Sequence, residues 1–201
     1  MKKWLIPVLV IVGIIVIAGL WFASINNQLV PLEESVTAQW ANVESSYQRR
    51  ADLIPNIVNT AKGYAEFEQE TLTQVIEARS KATQVTIDPS NITPDQLAQF
   101  QQAQSGLSSA LSRLLLVFER YPDLKANENF KELINELERT ENRINVERNR
   151  YNEAARIFNT EIRIFPKNFV ASILGFDAKP YYEAEEGSEN APDVEFDFGN
   201  E

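Results

Sequence analysis

Residues 40–68, WANVESSYQRRADLIPNIVNTAKGYAEFE, decide the fold. With Val36 just before them, they place Val36, Trp40, Val43, Tyr47, Arg50, Ile54, Ile57 and Ala61 at alternating steps of four and three. That spacing puts all eight on one face of an α-helix. Two residues break the pattern. Arg50 occupies a position where an apolar side chain is expected, and Pro55 must remove one backbone hydrogen bond from the helix. The helix is expected to run from about Leu32 to Gly63, with a bend near Pro55 and a stop at the glycine.

The same rhythm recurs downstream. Leu97, Phe100, Gln104, Leu107, Leu111, Leu114 and Phe118 form a second stripe. It opens at Thr93-Pro94-Asp95, where Thr93 can cap and Pro94 suits the first turn. Tyr121-Pro122 stops it. A third stripe is Phe130, Leu133, Leu137, Glu141, Ile144, Arg148, Tyr151, Ala155, Phe158 and Ile162. It predicts one long helix from about Ala126 to Ile164. A shorter helix fits Ala65 to Gln84, followed by a loop over Val85–Pro94 with a turn at Asp88-Pro89-Ser90. FVASILGF, residues 169–176, reads as a short apolar cap on one end. The expected class is all-α, an elongated antiparallel bundle of about four long helices with coiled-coil-like seams.

Before the bundle, Trp4–Phe22 is nineteen residues without a charge. At helical rise this is about 28 Å, close to the hydrocarbon thickness of a bilayer. Trp4 and Trp21 bracket it as interfacial aromatics do. A cleaved signal peptide is the rival reading, but no small-x-small pair follows the segment. A retained single-pass anchor over residues 4–22 is expected, in contact with the lipid bilayer. Lys2 and Lys3 precede it and no Lys or Arg follows until Arg49. The positive-inside rule then places the C-terminal domain outside the cytoplasm, with the opposite topology left open. Asn26–Pro31 reads as a polar joint. The chain divides into an anchor (1–25), a helical bundle (26–176) and an acidic tail (177–201).

Composition narrows the chemistry. Without cysteine there is no disulfide or thiolate, and without histidine the commonest metal ligand and neutral-pH base are missing. Net charge is −10, and residues 183–201 hold eight acidic side chains with no Lys or Arg. The body is therefore nearly neutral, and a nucleic-acid surface is not expected. In the tail, Asp193-Val-Glu195-Phe-Asp197-Phe198 alternates acidic and apolar residues. It lacks the glycine position and closing glutamate of a calcium loop. A solvated tail and an extended docking segment are favoured over calcium binding.

Several runs resemble the LemA family. They are Trp40, Arg49-Arg50, the run Asp52 to Asn56, Val58, Lys62-Gly63-Tyr64 and Glu68, then RLLLVFERYPDLKANENF (113–130), LERTENRINVERNRYN (137–152) and FNTEIRIFPKNFVASILGF (158–176). The resemblance covers most of residues 27–198. It implies a membrane-tethered bundle of long helices and supplies no activity.

The candidate site is a polar seam. Arg50, Glu141 and Arg148 fall on apolar stripes, and Glu141 and Arg148 are seven apart on one face. If the first and last long helices pack together, Arg50 can pair with Glu141. Asn56, Asn142 and Asn152 could line a pocket beside them. A buried network that sets register is the favoured reading; a ligand or ion pocket is the other. A carboxylate di-metal site would need Glu-x-x-His pairs, which a chain without histidine lacks. No catalytic residue, cofactor or metal ligand is assigned. The expected role is a non-enzymatic interaction or scaffold module of the cell envelope, joined to a protein partner or to itself. A ligand or peptide sensor, or an accessory to a membrane protease, is the alternative.

Overall fold

The computed structural model describes residues 4–63 and 68–183. Within them the chain is all-helical: α1 (Leu5–Lys62), α2 (Gln69–Gln84), α3 (Pro94–Phe118), α4 (Pro122–Ala126), α5 (Glu128–Glu161) and α6 (Lys167–Leu174). Four of these, the C-terminal part of α1 with α2, α3 and α5, make the bundle. Going ten residues along α1 from Trp40 to Arg50 goes back ten along α5 from Tyr151 to Glu141, so the two helices are antiparallel.

The first correction concerns α1. The expected joint at Asn26–Pro31 is helical, and α1 runs unbroken from the apolar segment into the bundle through Pro31 and Pro55. Tertiary packing overrides the local cost of proline. Ile25, Leu29 and Val36 are buried on either side of Pro31, which fixes the helix axis against the bundle. Pro55 has no N–H to offer the Ala51 carbonyl one turn earlier. That carbonyl accepts from Arg79 Nε on α2 at 2.7 Å instead. The helix interruption is thus repaired from a neighbouring helix.

Other boundaries shift for identifiable reasons. The expected start of the second helix at Ala65 lies outside the described residues. Pro122 does more than stop α3, because it opens the one-turn α4. Asn127 then caps α5, its side chain accepting from the Phe130 N–H at 3.0 Å. At Thr93 the expected cap is a full capping box with Gln96.

The interior has two apolar clusters. One holds Ile25, Leu29, Trp40, Tyr47, Phe100, Ile144, Tyr151, Phe158 and Val170 among others, and is rich in rings. The other holds Ile54, Ile57, Leu107, Leu111, Leu114, Phe118, Phe130 and Leu137, and is mainly aliphatic. On α1 the break falls between Tyr47 and Ile54, on α3 between Phe100 and Leu107, and on α5 between Leu137 and Ile144. Arg50, Gln104 and Glu141 occupy those three gaps. A polar layer therefore crosses the bundle between two cores.

A second correction concerns residues 177–183, expected as the start of an acidic tail. They lie along α5, with Lys179 and Tyr182 buried. The part of the tail expected to be solvated or to dock, residues 184–201, lies outside the described residues.

Candidate functional site

Arg50 is 1% exposed, and its guanidinium is held by side chains and a carbonyl from two other helices, α3 and α5. Nη1 donates to Glu141 Oε1 on α5 at 2.7 Å and to Ser108 Oγ on α3 at 2.8 Å. Nη2 donates to Gln104 Oε1 at 2.6 Å and to the Gln104 carbonyl at 3.3 Å. Gln104 continues the network, its amide nitrogen donating to the Ala82 carbonyl on α2 at 3.2 Å. That carbonyl belongs to the last turn of α2, where helical partners run out. One connected set of hydrogen bonds thus reaches all four bundle helices. The Arg50 guanidinium also stands 5.0 Å from the Tyr47 ring. Its Nε is the one guanidinium nitrogen without a hydrogen-bond partner among the described residues. Glu141 opens to solvent on its outer side, so the pair is buried at the cation and hydrated at the carboxylate.

Arg49, next in sequence, faces outward and pairs with Glu136 on α5. Arg49, with help from Arg139, holds the Glu136 carboxyl below its ordinary range.

Arg148 is not part of this layer, a correction to the expected seam. Its stripe position is right, but its side chain reaches the other way. The guanidinium lies 4.9 Å from the Tyr182 ring and donates to the Glu183 carbonyl at 3.1 Å. Asn152 is also elsewhere. Its side chain makes a two-bond clip on the backbone of Tyr182, at 2.8 and 3.0 Å. Asn159 repeats the clip on Lys179, with both bonds at 2.8 Å. The spacing explains the match. Seven residues along a helix and three along an extended chain both cover about 10 Å. Asn56 and Asn142 are exposed, and neither is among the hydrogen-bond partners of Arg50. Asn56 lines a shallow surface groove with Glu132, Glu136 and Arg139.

The 177–183 strap closes the aromatic cluster. Tyr182 stacks on Trp40 at 6.0 Å, and Tyr151 meets both rings edge-on at 5.6 Å. The Tyr151 hydroxyl donates to the Pro180 carbonyl at 3.0 Å. Burial pushes the hydroxyl pKa of Tyr151 and Tyr182 upward from the ordinary 10.0. Lys179 reaches past Phe158 to Glu33 on α1 at 2.8 Å and to the Ser90 carbonyl at 3.3 Å.

Sequence reasoning missed Gln104 and Ser108, although Gln104 is a polar residue on an apolar stripe and carried the same signal as Arg50. It also missed Asn159, whose seven-residue spacing from Asn152 was visible. A groove of about 660 Å³ between the outer faces of α2 and α3 is lined by Gln74, Ala78, Ala103 and Gly106, and Arg50 is not among its lining residues. Among the described residues no group of three or more acidic side chains is placed to hold a metal ion.

Residues 39–196 match the LemA family. The chain belongs to the LemA family. Among curated relatives it is similar to Magnetosome protein MamQ 2 of Paramagnetospirillum magneticum, 28% identical over 174 residues, covering 78% of this chain and 64% of the relative. It is similar to Protein LemA of Metamycoplasma hominis, 27% identical over 161 residues, covering 80% of this chain and 70% of the relative. Magnetosome protein MamQ of Magnetospirillum gryphiswaldense is 25% identical over 173 residues. The chain thus spans 64% of the length of the MamQ relatives. In this LemA-family chain, the helix that carries Trp40 and Arg50 is also the one long and apolar enough to cross a membrane among the described residues.

Proposed function

We propose that this chain is a membrane-anchored, non-enzymatic module whose rigid bundle assembles with other envelope proteins or with copies of itself. The observation that supports this reading is the state of Arg50. A cation waiting for a ligand would face a cavity. Here both terminal nitrogens are already bonded to four acceptors, and through Gln104 the network connects four helices. The layer acts as a register key: slide α1 by one turn and Arg50 meets an aliphatic or aromatic layer at the expense of its partners. The apolar segment 4–22 anchors the chain in the bilayer as a single pass. Lys2 and Lys3 before the segment support an extracytoplasmic bundle by the positive-inside rule.

The test is crosslinking in intact cells followed by mass spectrometry, with a chain lacking residues 184–201 as the control. Specific, repeatable crosslinks from bundle residues to one envelope protein, or to a second copy, are expected. Their absence across several crosslinker chemistries sinks the proposal. A separate check addresses the register key. Arg50→Met with Glu141→Leu is expected to keep both fold and crosslinks. A folded double variant that loses its cellular phenotype would instead make the layer a ligand site. Since the chain has no cysteine, a thiol introduced at exposed Leu116 reports the side. Labelling by a membrane-impermeant maleimide on intact cells is expected, and protection would reverse the topology.

A further inference from the structure

We propose that the corner made by the end of α5 and by α6 is a second lipid-contacting element, with Phe165, Phe169 and Ile173 seated in the interfacial zone of the bilayer that α1 crosses. This rests on the reading of α1 as a membrane span.

Among the described residues, eleven large apolar side chains are exposed outside the apolar segment, and five of them fall within 164–174: Ile164, Phe165, Phe169, Ile173 and Leu174. Phe165 is 83% exposed and Phe169 is 68% exposed. Phe169 and Ile173 are four apart on α6 and share its outer face, while Val170 and Ala171 point into the core. Five exposed large apolar side chains within residues 164–174 are unlike the scattered apolar residues of an ordinary surface.

Position selects the occupant. The antiparallel register that sets Arg50 beside Glu141 carries the end of α5 to the level of about residues 27–30 of α1. α6 then packs on α1 itself. Val170 and Ala171 share a cluster with Ile25 and Leu29, and Phe22 packs against that cluster. Phe22 is the last residue of the apolar segment 4–22. The exposed rings therefore sit beside the point where α1 leaves the hydrocarbon. An apolar surface continuous with a span meets lipid, and aromatic rings favour the interfacial zone. Arg163 and Lys167 flank the rings in sequence, where cations suit a headgroup layer, with Lys167 paired to Glu161.

The test uses the full chain in vesicles of phosphatidylcholine and phosphatidylglycerol. Single cysteines are introduced at Phe169, Ile173, Ile14 and Leu116, each labelled with a nitroxide. All four native side chains are exposed, so circular dichroism should report unchanged helix content. Accessibility to oxygen against a water-soluble nickel chelate gives the depth of each label. Labels at Phe169 and Ile173 are expected at shallow lipid depth, the label at Ile14 near the bilayer centre, and the label at Leu116 in water. Water-exposed labels at Phe169 and Ile173 with a lipid-buried label at Ile14 overturn the proposal and leave the anchor intact. A water-exposed label at Ile14 overturns the anchor reading first. Spin–spin broadening at Phe169 without lipid depth assigns the surface to a second copy and also overturns it.

Discussion

The two ends of the bundle solve the same packing problem differently. The half nearer the apolar segment is closed by rings, with Trp40 meeting Phe100, Tyr151 and Tyr182. It is tied by side-chain clips to an extended strap. The far half is filled by Leu and Ile side chains from α1, α3 and α5, with the Phe118–Phe130 pair at its end. Aliphatic packing can slip by a turn at small expense in area, since one Leu replaces another. A ring cluster with a strap over it cannot. The polar layer lies where the tolerant half meets the intolerant one, and fixes the register of the half that could otherwise slide.

Trp40→Ala should destabilise by about 3–5 kcal/mol, through lost burial and the cavity left among three rings. Hydrogen exchange should rise along α1 near Val36–Tyr47 before Ile54–Ala61. Simultaneous loss of protection in both segments would show that the two cores unfold as one.

Glu141→Leu leaves Arg50 buried with only neutral acceptors and should destabilise by about 2–3 kcal/mol, discounted because Glu141 is partly hydrated. Adding Arg50→Met should recover most of that in chemical denaturation. Failure to recover would mean that the charge pair itself stabilises the bundle.

Asn159→Ala removes both bonds of a buried backbone clip and should destabilise by about 2 kcal/mol. The half-buried clip at Asn152 should matter less, by about 1 kcal/mol. Protection of the Lys179 and Tyr182 amides reads both directly.

Alkaline titration sharpens the contrast, since the raised hydroxyls belong to the aromatic half. The folded pKa of Tyr151 and Tyr182 lies above the unfolded value near 10.0. Their contribution is therefore complete below pH 10 and declines as pH rises above it. Stability should fall by up to about 1.4 kcal/mol per pH unit for each tyrosine. Tyr182→Phe should flatten the slope, and an unchanged slope would contradict the burial argument.

The smallest effect is expected at Arg79. Arg79→Ala strips the Ala51 carbonyl of its donor at about 1 kcal/mol. In that background Pro55→Ala supplies an N–H to the same carbonyl, so the two changes should be less than additive in a double-mutant cycle.

What could be read from sequence was whatever repeats. The stripes located α1, α3 and α5 because burial on one helix face imposes a period, and the charged interruptions at Arg50 and Glu141 stood out against it. Arg148 stood out equally and belonged elsewhere, because a long side chain can leave the face that its Cα occupies. The strap had no period to betray it: Asn159 and Asn152 clip Lys179 and Tyr182 through backbone atoms, which every residue possesses. Pro31 was misread for the opposite reason. A local signal for a break is weak beside the burial of Ile25, Leu29 and Val36 around it.

The absence of a joint at Pro31 has a mechanical side. From Phe22 to Lys62, α1 extends about 60 Å beyond the apolar segment at helical rise. Where that segment crosses a bilayer, the helix is a lever whose short arm lies in the lipid. Leaning the short arm by about 20°, an ordinary tilt for a spanning helix, sweeps the far tip sideways by about 20 Å. Bilayer thickness is thereby converted into the lateral reach of the distal end.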